Sequence, residues 1–226
     1  FTDERYYKKK KHNSNGMKFC NIFLETIRRY KLLFSSVYIR ETLLLTIIWI
    51  CKGLVNYGMV FLIGRMSAVH NSKTHKAVCE FDYFANLSSS CTEFIGAYFC
   101  GNIIDRIGRP MTVVILLSLS CISLFMMIYI TGDSIMMLHI WEAITRAALF
   151  GASTAIWVVT SEVYNTKCRA SGVAWMFNIS RFGAMTSAYL VQNLTYNKCE
   201  ILFISLCVLQ IFCTLFLTDN THKHLT

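Results

Sequence analysis

The sequence predicts an all-α membrane protein with six membrane-spanning helices. Its 226 residues are 54% hydrophobic and only 15% charged, against about 25% charged residues in soluble domains. Six apolar segments approach the length of about 20 residues that a helix needs to cross a hydrocarbon core of ~30 Å. Helices satisfy their own backbone hydrogen bonds in lipid, where no water is available. The composition therefore argues against a soluble globular fold.

The six segments form a predicted transmembrane domain over residues 41–218. They cover residues 43–63, 84–104, 111–130, 136–159, 170–194 and 201–217. The second, fourth and fifth segments carry ionisable residues, so hydropathy alone supports them less strongly than their regular spacing does.

The flanking segments are predicted from charge and periodicity. Residues 1–16 are predicted to be a basic disordered linker. Residues 17–40 repeat apolar side chains at helical spacing opposite basic ones, which is typical of an interfacial amphipathic helix on anionic lipid. Residues 219–226 are predicted to form a cytoplasmic tail.

The distribution of Lys and Arg predicts the orientation in the membrane. With the N-terminal end inside, the inner segments carry 15 of these residues and the outer loops carry 4. Positive residues accumulate on the cytoplasmic side, so both ends of the chain are predicted to be cytoplasmic, in the plasma membrane or a vesicle or organelle membrane. Ten of the 22 lie before residue 41, which argues against a nucleic-acid-binding face.

No catalytic residue, cofactor or metal site is predicted. The ten cysteines form no CxxC pair, and the chain lacks a phosphate-binding loop and a dinucleotide-binding fingerprint. Cys79 and Cys199 are both predicted on the outer side, and whether they pair is left open. The chain is therefore not predicted to be an enzyme.

Five ionisable residues are predicted near the middle of the bilayer: Lys52, Glu93, Glu142, Arg146 and Arg181. Charges at this depth cost free energy and usually face a partner or a wet cavity, which favours a transport path. Glu142 and Arg146 lie four residues apart and can instead neutralise each other, and Lys52 can pair with Glu93 across helices. Arg181 has no such carboxylate nearby and is the candidate for holding an anionic solute group.

A coupling proton or ion is a further expected partner. Glu93 or Glu142 is the candidate carrier of a proton, because burial raises the pKa of a carboxyl group toward neutral pH.

Two loop sequences carry a family resemblance. Residues 101–109, GNIIDRIGR, resemble the D-R-x-G-R signature of the major facilitator superfamily, and residues 160–170, TSEVYNTKCRA, resemble its E-x-x-P-T-x-x-R-A motif. Trp49, the Tyr57-Gly58 pair and residues 180–184 further resemble the synaptic vesicle 2-related proteins, close to the organic cation and anion transporters. The resemblance covers about residues 33 to 218 and implies the C-terminal six-helix half of such a transporter.

The resemblance also implies two groups of functional residues. One is a substrate cavity, whose candidate residues are the five ionisable residues named above and Tyr57. The other, here called the cytoplasmic gate, consists of charged residues and a glycine at the inner helix ends, where ion pairs can form and break between conformational states. The gate comprises Asp105, Arg106, Gly108, Arg109, Glu162 and Arg169.

The function implied is that of a fragment of a secondary active transporter, which moves a small organic, charged solute by alternating access. Its expected partners are membrane lipids, the solute and a missing N-terminal half of six helices, with no nucleic acid. Two departures from the family pattern favour an alternative: Asn165 replaces a proline, and Pro110 replaces a basic residue. The alternative is a non-transporting vesicle or organelle membrane protein that acts in protein interaction.

Overall fold

The computed structural model describes residues 28, 30–36, 38–73, 83–130, 135–166 and 168–217. The predicted linker 1–16, the tail 219–226 and Cys79 lie outside these residues, as does most of the predicted amphipathic segment 17–40. Within the described ranges the chain forms helices and no strand. The prediction of an all-α fold is confirmed.

Six long helices follow one another along the described part of the chain. They are α1 (Ile39–Lys73), α2 (Tyr83–Ile107), α3 (Arg109–Ile130), α4 (Ile135–Val163), α5 (Arg169–Asn193) and α6 (Tyr196–Leu215). One of them lies over each predicted segment. In α1, α3, α4 and α6 the helix is long and apolar enough to cross a membrane. The helices α2 and α5 have 25 residues each but are more polar, and their crossing stays a prediction.

Helix α1 contacts several of the other helices. It packs against α5 and α6 and, over a smaller surface, against α4, while α3 packs against α4 and α6, and α2 packs against α4. Large apolar side chains such as Trp49, Leu62, Leu117 and Phe203 are fully buried between these helices. All functional side chains discussed below are positioned by this arrangement.

Glycines allow the closest helix crossings. A Cβ atom at Gly53 of α1 would overlap the backbone oxygen of Ser180 in α5, and one at Gly183 of α5 would overlap the backbone of Ile50 in α1. The α2–α4 crossing is built similarly, with Gly96 against the backbone of Ala147. Small residues bring helix backbones together in this way where lipid supplies no hydrophobic driving force.

The segment before α1 also packs on the bundle. Residues 30–33 are helical, and the rings of Tyr30 and Phe34 lie 6.3 and 5.5 Å from the Trp175 ring of α5, both edge to face. Leu33 is fully buried, and its carbonyl oxygen accepts a hydrogen bond from Thr42 Oγ1 at 3.0 Å. The described part of the predicted amphipathic helix therefore packs against protein, and its contact with lipid stays a prediction.

The glycine crossings predict a sharp difference between two alanine substitutions. Gly53→Ala forces α1 away from α5 and should lower the free energy of unfolding by about 1–3 kcal/mol, as overpacking usually does. Gly101→Ala is the matched control, because a Cβ atom there meets nothing within 4 Å. Thermal unfolding in detergent measures both variants. Equal melting temperatures would show that the α1–α5 crossing is not tightly packed.

Candidate functional site

A group of aromatic and cationic side chains lies where α1, α4 and α5 meet. We call it the aromatic–cation cluster. It consists of Trp49, Lys52, Tyr57, Trp157, Phe177 and Arg181. Four of these residues come from positions at which the sequence singled out a charge or a family match, whereas Trp157 and Phe177 were not predicted.

Lys52 is held between two tryptophan rings. Its Nζ lies 3.9 Å from the centre of the Trp49 ring and 5.0 Å from that of Trp157. The two rings meet edge to face at 4.6 Å, and Trp49 Nε1 donates a hydrogen bond to Thr160 Oγ1 at 2.9 Å. The ring faces are negative and attract the ammonium group, an interaction that strengthens away from water.

Arg181 is held in a similar way on the adjacent helix. Its Nη1 donates a hydrogen bond to Tyr57 Oη at 2.9 Å, and its Cζ lies 4.4 Å from the Phe177 ring centre. The Trp157 and Phe177 rings are 5.7 Å apart, so they connect the two cations. Arg181 is exposed, as are Tyr57 at 40% and Phe177 at 39%. The cluster thus opens on the bundle surface.

The charge of this cluster is not neutralised from within the described part of the chain. Among the described residues, neither Lys52 nor Arg181 forms an ion pair with a carboxylate. The sequence had left open a pairing of Lys52 with Glu93. The structure places Glu93 with Arg146 instead, and Lys52 with the aromatic rings.

A polar crevice adjoins Lys52 on the inner side of the bundle. Asn56 Nδ2 donates a hydrogen bond to Ser153 Oγ at 2.9 Å, and Gln210 lines the same crevice. These residues come from α1, α4 and α6, and their polarity gave no periodic signal in the sequence. They offer hydrogen-bonding groups beside the Lys52 ammonium.

The other three residues predicted near the middle of the bilayer, Glu93, Glu142 and Arg146, have polar partners. Arg146 Nη2 forms an ion pair with Glu93 Oε1 between α4 and α2, and lies 3.4 Å from Ser90 Oγ. Glu142 Oε2 lies 3.2 Å from His139 Nδ1 on the same helix. Arg146 and Glu142 are buried. Pairing offsets part of the cost of burying these charges, so this region favours a structural role.

Helix α3 joins α4 through an ion pair of the cytoplasmic gate. Arg109 Nη1 lies 2.6 Å from Glu162 Oε2, and both side chains are largely shielded from solvent. Gly108 separates α2 from α3 with φ at 97°, a left-handed conformation that glycine adopts without a steric cost. Pro110 lies in the first turn of α3, where a missing backbone N–H is tolerated. Asp105 and Arg106, the other gate residues of this loop, are exposed.

Tyr164 organises the loop between α4 and α5, and the sequence gave it no role. It is fully buried, its hydroxyl donates a hydrogen bond to Thr42 Oγ1 at 3.2 Å, and a Cβ atom at Gly172 would lie 2.6 Å from its ring. Burial raises the pKa of Tyr164 to about 12, so the hydroxyl stays protonated. Its carbonyl oxygen accepts from Arg169 Nε at 3.4 Å. The gate residue Arg169 therefore contacts backbone in this conformation.

Comparison with known proteins points to membrane transport. No family model matches the chain. It is 29% identical to the synaptic vesicle 2-related protein of Xenopus laevis over 84% of this chain and 37% of the relative. It is 31% identical to the synaptic vesicle 2-related protein of Rattus norvegicus, over 71% of this chain and 32% of that relative. It is also 28% identical to a 4-hydroxybenzoate transporter of Acinetobacter baylyi, over 75% of this chain and 36% of that relative.

The homologues of this chain are transporters of the major facilitator type. The resemblance seen in the two loop motifs is thereby confirmed. Together with its apolar helices, this identifies the chain as a multi-pass membrane protein. The chain spans about a third of the length of the curated relatives named here.

The Glu93–Arg146 ion pair predicts a stability defect that a charge exchange repairs. Glu93→Ala leaves the buried Arg146 guanidinium without this carboxylate and should cost about 3 kcal/mol of unfolding free energy. The double variant Glu93→Arg with Arg146→Glu should recover part of that loss.

Asp105→Ala, which removes an exposed carboxylate of the same helix, is the control and should leave the melting temperature unchanged. If Glu93→Ala behaves like this control in thermal unfolding, the pair contributes no stability.

Proposed function

We propose that this chain is one half of a secondary transporter that moves a small aromatic carboxylate across a membrane by alternating access. The solute binds at the aromatic–cation cluster. The observation that carries this proposal is that Lys52 and Arg181 are held by rings and a hydroxyl group, with no carboxylate paired to them among the described residues.

The cluster has the chemistry that an organic anion requires. A solute carboxylate gains charge-assisted hydrogen bonds from a guanidinium or an ammonium group, and these are stronger than neutral ones. They gain further strength in a site shielded from water. The rings of Trp157 and Phe177, which are 5.7 Å apart, offer faces and edges for an apolar solute body. Asn56 and Ser153 lie beside Lys52 in a crevice that is closed in this conformation, and they would offer polar contacts to a second substituent once it opens.

One relative supports the substrate class. The Acinetobacter baylyi protein is named as a transporter of 4-hydroxybenzoate, which is an aromatic ring with one carboxylate and one hydroxyl group. Those three features match cationic groups, aromatic rings and neutral polar groups in the site proposed here. A cationic solute would instead face two positive charges.

The site needs a second wall, since the cluster opens on the bundle surface. We propose that the wall is a second bundle of six helices, preceding this one in the same carrier. The matched relatives, about three times as long as the matched region, leave room for such a half. Transporters of this kind bind solutes at the interface between repeats.

The gate supplies the conformational step. The Arg109–Glu162 ion pair fixes the start of α3 to the end of α4 at the end of the bundle that the charge distribution places in the cytoplasm. Exposed Asp105 and Arg106 lie beside it and are free to meet charges of the other half. Exchange of such ion pairs between two arrangements allows the cavity to open alternately on either side.

Removal of either cluster cation should weaken solute binding. In the full-length protein that carries this chain, Lys52→Gln or Arg181→Gln should weaken 4-hydroxybenzoate binding about 10- to 100-fold, since a hydrogen bond to a charged group contributes about 1.5–3 kcal/mol. Isothermal titration or thermal stabilisation measures the affinity.

Lys198→Gln, which removes an exposed charge at the start of α6, is the control and should bind normally. Wild-type protein that binds an organic cation and not the carboxylate would refute the substrate class. Absence of binding to either would favour the non-transporting alternative.

The gate pair should affect transport and not binding. Arg109→Glu and Glu162→Arg should each reduce uptake into proteoliposomes at least several-fold, since each places two like charges together. The combined exchange should restore uptake in part. Affinity for the solute, measured in the same preparations, should stay within about twofold, and a parallel loss of affinity would contradict a gating role.

A further inference from the structure

Helix α6 carries a carboxyl group that none of the interactions above uses. Glu200 is fully buried, and neither of its carboxyl oxygens has a hydrogen-bond partner in the described part of the chain. It forms no ion pair there either. Most buried polar side chains have a partner, so a group without one calls for an explanation.

The position of Glu200 excludes contact with lipid. It belongs to the buried side of α6, together with Cys199, Phe203 and Cys207, and this helix packs against α1 and α3 and touches α5. The Phe203 ring, one turn further on, fills the space over Gly58 of α1. An ionised carboxylate that is shielded from solvent and has no protein partner among the described residues would cost many kcal/mol. The group is therefore a neutral carboxylic acid in this conformation.

The neighbouring helices offer few titratable groups near this end of α6. On α3, Cys121 lies beside Cys207, two turns away from Glu200 along α6, and Tyr129 is exposed. Arg109 lies at the opposite end of α3. On α5, Tyr189 is exposed, while Arg181 belongs to the aromatic–cation cluster and Arg169 to the gate.

Helix α1 supplies a cation near this end of α6, Arg65. Its Cζ lies 4.8 Å from the centre of the Tyr196 ring. Tyr196 precedes Glu200 by four residues and so occupies the same side of α6, one turn away. Arg65 Nη1 donates hydrogen bonds to the carbonyl oxygens of Val191 and Leu194, the latter at 2.6 Å. Arg65 thus binds neutral backbone groups and the Tyr196 ring, which lies one turn of α6 from Glu200.

We propose that Glu200 is a proton-binding site of the carrier and that Arg65 is its partner when the proton leaves. In the described conformation the carboxyl group holds the proton. In the other conformation the carboxyl group releases its proton to water. The Arg65 guanidinium then breaks its hydrogen bonds to the Val191 and Leu194 carbonyl oxygens. It forms an ion pair with the Glu200 carboxylate instead. These two pairings form a bistable element, whose equilibrium a proton gradient can bias.

This assignment differs from the one that the sequence suggested. Glu93 and Glu142 were the candidates for a coupling proton, but they pair with Arg146 and His139. A carboxylate that a cation or a hydrogen-bond donor stabilises holds a proton less readily than one with neither. Coupling of the Glu200 proton to solute movement rests on the proposed transport function, whereas proton binding itself does not.

Infrared difference spectroscopy tests proton binding without any transport assay. Full-length protein in lipid nanodiscs, titrated over pH, should show the C=O stretching band of a protonated carboxyl group that disappears at high pH. Glu200→Gln should remove that band, and Lys198→Gln, two residues away and exposed, should keep it. Persistence of the full band in Glu200→Gln, or its absence from the wild type at every pH, would overturn the proposal.

Uptake into proteoliposomes tests the coupling. An inward proton gradient should raise 4-hydroxybenzoate accumulation by the wild type several-fold. Glu200→Gln should abolish that stimulation yet keep exchange of labelled for unlabelled solute. Stimulation that survives in Glu200→Gln would overturn the coupling role. If the wild type shows no uptake while the infrared band behaves as expected, the transport function fails and the proton site stands.

A second variant guards against misfolding. Glu200→Met removes the ionisable group and keeps an unbranched side chain of similar length, so it should melt at the wild-type temperature or above at low pH. The wild type should lose thermal stability as the pH rises through the range in which the infrared band disappears, because ionisation favours opening of the bundle. Glu200→Met should lack that component of the loss, and an identical pH dependence in both proteins would contradict the assignment.

Discussion

The arrangement depends on one contact, the backbone crossing of α1 and α5. Gly53 and Gly183 leave no room for a side chain between the two helices. This fixes the angular position of both helices, and with it the directions in which Lys52 and Arg181 project. Because Lys52 is the neighbour of Gly53 in the chain and Arg181 is two residues from Gly183, their spacing follows from the crossing. The aromatic–cation cluster is therefore a consequence of backbone packing as much as of side-chain choice.

Electrostatics divides the bundle into regions with different roles. On the α2–α4 side, buried charges neutralise each other, as in the Glu93–Arg146 ion pair. On the α1–α5 side, positive charges are held by rings and a hydroxyl group and retain their attraction for an anion. On the α6 side, the Glu200 carboxyl group is buried and has no partner among the described residues. The low dielectric constant of the interior strengthens the attraction between paired charges and makes an unpaired polar group costly to bury. The three regions therefore differ in electrostatic free energy.

Hydropathy and motif order predicted the helices and the family, since membrane insertion and loop signatures leave local patterns in the chain. The cross-helix partners leave no such pattern. Glu93 and Arg146 are separated by 53 positions, and Lys52 and Trp157 by more than 100. In the sequence, Trp157 and Phe177 are indistinguishable from ordinary apolar residues of a membrane helix.

Glu200 was missed because the last segment was predicted to begin one residue later. That segment was noticeably short for a membrane span, and an extra turn would have included the carboxyl group.

Residues 30–36 pack on α5 and so connect the segment before α1 directly to that helix. The Tyr30 and Phe34 rings pack edge to face against Trp175. Trp175 lies six residues, or about 9 Å along the helix axis, before Arg181. A movement of residues 30–36 therefore acts directly on the helix that carries Arg181. Under the proposed function, a solute that rearranges α5 changes the packing of this segment, and a change in that packing alters solute affinity to the same extent. The segment before α1 would then respond to occupancy of the site.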